Sequence, residues 1–124
     1  MRLLVCGDRN WTDKELVKKI LAQVSFDVLI EGEARGTDRI SREVVKEGQL
    51  SCSVLPFHAD WDTYHKAAGP IRNRQMIKEG KPDLILAFHN HIEESKGTAD
   101  MLCIAEDKDI PYCLIEEEID IVSI

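Results

Sequence analysis

The chain has 124 residues, with 16 Lys plus Arg against 23 Asp plus Glu, a formal net charge of −7. That length fits one domain that buries roughly two-thirds of its unfolded surface, and 44% hydrophobic with 31% charged residues excludes a disordered chain. The acidic balance argues against a nonspecific duplex-DNA binder, which needs a broad basic face, but leaves room for a local anion site.

Met1 to Gly7 is apolar for only about one strand and lacks a long h-region and a small-residue cleavage site, so it is not read as a signal peptide. No apolar run approaches the ~20 residues of a membrane span. A cytoplasmic protein away from membranes is expected. The cysteines Cys6, Cys52, Cys103 and Cys113 show no C-x-x-C spacing, and three lie in apolar strand-like runs. Buried, reduced thiols are expected.

Leu3 to Cys6 reads as the first strand, closed by Gly7-Asp8. Thr12 or Asp13 caps a helix to about Val24, with Leu16, Val17, Ile20, Leu21 and Val24 on one face. Asp27 to Glu31 is a second buried strand. After Gly36-Thr37-Asp38 a second helix runs to about Glu47, stopped by Gly48. Ser51 to Phe57 is the third strand, and His58 to Gly69 an irregular stretch rich in aromatics and His. Pro70 opens a third helix that ends at Gly80. Leu84 to Phe88 is the fourth strand, His89 to Lys96 a polar loop, and Gly97-Thr98 opens the fourth helix. Pro111 to Ile115 is the fifth strand. The partly alternating tail, Glu116 to Ile124, reads as an edge strand or a partner-binding arm.

Strands alternating with helices predict a single α/β domain, a three-layer sandwich around a mainly parallel five-stranded sheet. The expected order is 3-2-1-4-5, because strands one and four are the most apolar. Ligands of such sheets bind beyond the carboxyl ends of the strands, at the switch point between strands one and four.

Nucleotide motifs are mostly missing. Gly7-Asp8-Arg9 is not a G-x-G-x-x-G fingerprint, and Gly32 to Thr37 is not a P-loop. What remains is two Gly-Thr pairs, Gly36-Thr37 and Gly97-Thr98, each where a strand loop becomes a helix. Such a position offers close backbone approach and free N–H donors to a phosphate, though ordinary turn and cap chemistry explains either pair alone. Arg9, Arg35, Arg39, Arg72 and Arg74 gather at the same predicted edge, an arrangement suited to an anion. Asp38 and Asp100 open helices. Each complements the helix dipole, and the functional alternative makes Asp100 a base or a stabiliser of developing positive charge. Trp11, Trp61 and Tyr64 are polar-flanked aromatics suited to stacking on a base or to packing. His58, His65, His89 and His91 have no regular metal spacing, and neither a metal nor a cofactor is expected.

Several blocks in order, Gly7-Asp8-Arg9, Glu31 to Asp38, Phe57 to Trp61, Lys66 to Met76 and Lys96 to Met101, resemble the YspA-like branch of the SLOG superfamily. That superfamily joins Smf/DprA proteins with LOG (“lonely guy”) proteins. The resemblance covers nearly the whole chain. It implies a Rossmann-like fold that binds nucleotides or nucleotide-derived ligands. LOG proteins are phosphoribohydrolases that split the N-glycosidic bond of a nucleoside 5′-monophosphate. Their catalytic Arg matches Arg72 by its spacing to Met76, and their catalytic Glu matches Asp100. Asn73 stands where that helix has Lys, and the Pro-Gly-Gly of their phosphate loop is absent.

The implied site therefore has Arg72 and Asp100 as catalytic residues. Gly7, Arg9, Trp11, Gly32, Gly36, Thr37, Asp38, Trp61, Asn73, Arg74, Gly97 and Thr98 are expected to contact the ligand. A homodimer is implied as well. Three functions stay open: a phosphoribohydrolase, a non-catalytic module for an ADP-ribose-like nucleotide signal, and single-stranded DNA binding, which the charge of −7 disfavours.

Overall fold

Strands that are apolar without alternation are buried on both faces, and only helices on both sides of a parallel sheet can cover them. The computed structural model, which describes residues 1–48 and 51–117, has that arrangement. The strands are β1 (Arg2–Gly7), β2 (Val28–Glu31), β3 (Ser53–Pro56), β4 (Leu84–Phe88) and β5 (Tyr112–Ile115). The helices are α1 (Lys14–Leu21), α2 (Thr37–Glu47), α3 (Trp61–Tyr64), α4 (Ala68–Gln75) and α5 (Gly97–Asp107). All strand pairs are parallel, in the order β3-β2-β1-β4-β5. The predicted order holds, and the register sets Leu4 beside both Ile30 and Ile85.

Successive strand residues feed opposite layers. Leu4, Cys6, Ile30, Ile85 and Ala87 pack with Met76, Met101 and Ile104, under α4 and α5. Leu3, Val5, Leu29, Leu86 and Phe88 pack with Val17, Leu21, Val44 and Val45 of α1 and α2. The result is a Rossmann-like three-layer α/β sandwich. Among the described residues no helix is long and apolar enough to cross a membrane.

The helix ends follow local chemistry. Asp13 caps α1, its Oδ1 accepting the Leu16 N–H at 3.0 Å. Asp13→Ala is expected to cost about 1 kcal/mol, read as a lower urea midpoint at an unchanged m-value. α1 stops at Leu21, short of the expected Val24. α4 begins at Ala68, two residues before Pro70, which sits in the first turn where its missing N–H leaves no bond unmade. Beyond Gln75 the helix widens into a π-helical turn, Met76–Gly80, closed by Lys81 at φ 50°.

The stretch read as irregular holds α3 and a 3₁₀ turn, His65–Ala67. Asp60 caps α3 through the Thr63 N–H at 3.1 Å. All four cysteines are free, but only Cys6 is buried, which corrects the expectation of four buried thiols. Cys113 lies on the edge strand β5 and is exposed there, and Cys103 is exposed on α5. Most of the expected tail element, residues 118–124, lies outside the described residues.

Candidate functional site

The loop after β1 is folded tightly back on β4. Asp8 N–H donates to the Phe88 carbonyl at 2.8 Å, and the Asp8 carbonyl accepts from Trp11 N at 3.1 Å and Thr37 N at 3.2 Å. Thr37 Oγ1 donates to the same carbonyl at 3.0 Å. Gly36, at φ 75°, lies against the backbone of Asp8 and Arg9. A β-carbon on Gly7 would stand 2.6 Å from Thr37 Oγ1. The first Gly-Thr pair therefore fastens two loops together. Thr37 is wholly buried, and neither Gly36 nor Thr37 lines the cleft described next.

A cleft of about 1010 Å³ lies over the carboxyl ends of the sheet. Gly7 at the end of β1 and Arg9 of the β1–α1 loop, with Gly32 and Asp38 beyond β2, form one part of its lining. Trp61, Arg72 and Asn73 line it from α3 and α4, and Gly97 and Thr98 from the start of α5. This is the switch point, where the connections from β1 and β4 leave toward opposite faces.

Of the two predicted tryptophan contacts, one changes place. Trp11 is only 3% exposed; its indole packs edge-on to Phe88 at 5.6 Å, and its Nε1 donates to the Asp13 carbonyl at 3.0 Å. It is a core residue, because the folded-back loop turns it onto the α1 and α2 layer. Trp61 is 54% exposed and stays in the cleft. Its ring packs close to Gly69, where a β-carbon would sit 3.5 Å from Cη2.

Asp100 and Arg74 are also displaced from the cleft lining. Asp100 Oδ2 accepts from Asn73 Nδ2 at 3.1 Å and lies 3.7 Å from Arg74 Nη1. Asn73 Nδ2 also donates to the Gly97 carbonyl at 3.1 Å, so it ties α4 to the opening turn of α5. Arg74 is exposed and donates to its own helix at Pro70. In that opening turn, Ser95 Oγ accepts the Thr98 N–H at 3.0 Å. Among the described residues nothing stands within 4 Å of a β-carbon on Gly97, so this position is open to a ligand. His89 is buried at the cleft edge, and its Nδ1 accepts the His91 N–H at 3.0 Å.

The opposite side of the cleft carries a cluster that the sequence reading did not assemble. Arg72 lies against Gly32, its Nη1 donating to the Gly32 carbonyl at 2.9 Å. A β-carbon on Gly32 would meet Arg72 Nε at 2.9 Å. Glu31, wholly buried at the end of β2, accepts the Glu33 N–H through Oε2 at 2.6 Å. Its Oε1 has no hydrogen-bond partner among the described residues, with Arg42 Nη1 at 3.7 Å. Burial raises the Glu31 carboxyl above its ordinary value. Asp38 accepts the Ala34 N–H at 3.2 Å. Burial pushes its carboxyl up to about 7, against the pull of the Arg72 charge and the Ala34 N–H. Burial also raises the Cys6 thiol nearby. The cues to Glu31 in the sequence were a carboxylate ending an apolar run and its place at the head of the Glu31 to Asp38 block.

The architecture and this cleft define a Rossmann-like α/β domain with a crevice at the switch point of its sheet. No family model matches the chain. It is 34% identical over 118 residues to the Gene 61 protein of Mycobacterium phage D29, a match spanning 89% of this chain and 92% of the phage protein. The chain belongs to the family of that phage protein.

Proposed function

We propose that the cleft binds a nucleoside 5′-monophosphate or a close nucleotide relative, and that the protein hydrolyses its N-glycosidic bond. The observation that carries this reading is the pairing of the open Gly97 turn of α5 on one side with Arg72 and Asp38 on the other. A helix N-terminus with open backbone suits a phosphate. A ribose placed between that turn and the Arg72 cluster would set its C1′ beside carboxyl groups, which stabilise an oxocarbenium-like centre. Trp61 offers an exposed ring for the base. The resemblance to the SLOG superfamily supports the same reading. A homodimer and a cytoplasmic setting belong to this proposal, and the mass in solution tests the first.

The test is release of free base from a panel of nucleoside 5′-monophosphates, NAD and ADP-ribose, followed by chromatography. Wild type is expected to release base. Removing the charged donor in Arg72→Ala is expected to cost ~1.5–3 kcal/mol of ligand binding, about ten- to a hundredfold in affinity. Unchanged binding and turnover in that variant would refute the site.

One observation favours a second reading. The Asp100 carboxylate is engaged by Asn73 and Arg74 and does not line the cleft. A non-catalytic module for an ADP-ribose-like molecule would need no such carboxylate. Tight binding without product across the panel is the outcome that selects it.

A further inference from the structure

We propose that Asp38 is the proton donor of this cleft, protonating the departing base and recovering a proton from the attacking water. The proposal rests on the hydrolase reading above and names its acid.

Among the described residues four carboxylates line the cleft, those of Asp8, Glu33, Asp38 and Glu94, and Asp38 is the buried one of these, at 6% exposure. The first turn of α2 sets it beside the carboxyl end of β2, where the Ala34 N–H holds one of its oxygens. The groups facing it come from two strands and one helix. Glu31 of β2 adds negative charge, Arg72 of α4 adds positive charge, and the Cys6 thiol of β1 is neutral. Arg42, on α2 itself, lies 3.7 Å from Glu31 and 3.9 Å from Glu33. Asp100 has neither property: it is outside the cleft lining, and its carboxylate is held by the Asn73 amide.

A general acid must hold its proton near the working pH. The Asp38 carboxyl, raised to about 7 by burial, is about half protonated in neutral solution. In the reaction the bond between C1′ and the base nitrogen breaks, and its electron pair leaves with the base. The Asp38 carboxylic acid gives the base a proton. Water bonds to C1′ and gives a proton to the Asp38 carboxylate. The products are ribose 5-phosphate and free base, and Asp38 ends as it began.

The experiment measures kcat for base release from AMP, GMP, CMP and UMP between pH 5 and 9, with nucleotide affinity by calorimetry. Wild type, Asp38→Asn and Asp100→Asn are compared. Wild-type kcat is expected to fall by about tenfold per pH unit above the Asp38 titration. Asp38→Asn is expected to lose about a hundredfold or more in kcat, to show no such fall, and to keep its affinity. Asp100→Asn is expected to turn over more slowly while keeping the wild-type pH dependence. The proposal is overturned if Asp38→Asn keeps wild-type kcat, or if the pH dependence vanishes in Asp100→Asn instead. The wild-type profile also tests it without any variant: a rate that is flat through pH 7 overturns it. Wild type that binds nucleotides and releases no base overturns the hydrolase reading, and the acid with it.

Discussion

Asp38→Asn is expected to make the folded chain more stable at pH 8 by roughly 3–4 kcal/mol and to leave it nearly unchanged near pH 4. Burial lifts the Asp38 carboxyl from 3.8 to about 7 in the folded chain. Between those values the folded state binds more protons than the unfolded one, so wild-type stability falls as pH rises from about 4 to about 7. The full lift corresponds to roughly 4 kcal/mol, all of it felt above pH 7. Asn keeps the shape and an acceptor for the Ala34 N–H but carries no charge to bury. Glu31, raised in the same direction by burial, adds a slope of the same sign that the variant retains. Urea unfolding of both proteins at pH 4, 6 and 8 measures the difference. A variant less stable than wild type at pH 8 would mean that the attraction of ionised Asp38 to Arg72 outweighs the cost of burying it.

A buried carboxylate that weakens the fold where it is ionised is hard to explain as packing. Stability and activity are expected to move in opposite directions in this one variant, more stable and less active, which is the behaviour of a functional group held at a structural cost. A residue with only a structural role would lose both together.

The strands were legible because double-sided burial writes itself as unbroken apolar runs, as in Leu84 to Phe88. The switch point followed from which two runs were the most apolar. The site was legible only in part, because its chemistry depends on which way a loop turns. Trp11 and Trp61 look alike in sequence, each an aromatic among polar neighbours. One is turned into the core by the Asp8–Phe88 hydrogen bond, and the other is left in the cleft. Asp38 and Asp100 are alike too, each a carboxylate in the first turn of a helix. Burial beside Glu31 and Arg72 separates them, and Arg72 comes from a helix distant in sequence. α3 has four residues, too few to show a period, and only the Asp60 cap announces it.

The two Gly-Thr pairs carry the same lesson as a pair of opposite expected results. Gly36 holds φ 75° and ψ −127°, a conformation that a side chain rarely tolerates. A β-carbon there would stand 2.5 Å from the Arg9 carbonyl and from the Asp8 oxygen, and these backbone atoms cannot swing aside. Strain of this kind costs ~1–3 kcal/mol by itself, and the clash adds to it, so Gly36→Ala is expected to lose at least ~3 kcal/mol in urea unfolding. Gly97 has no positive φ, and its β-carbon would meet nothing within 4 Å among the described residues. Gly97→Ala is therefore expected to stabilise the protein by ~0.4–1 kcal/mol, since alanine restricts the unfolded chain. The same methyl would fill the open approach to the α5 turn and weaken AMP binding. A Gly97→Ala protein that is more stable and still binds AMP as wild type does would move the phosphate away from that turn. A Gly36→Ala protein of normal stability would mean that the two loops can part without unfolding the sheet edge they join.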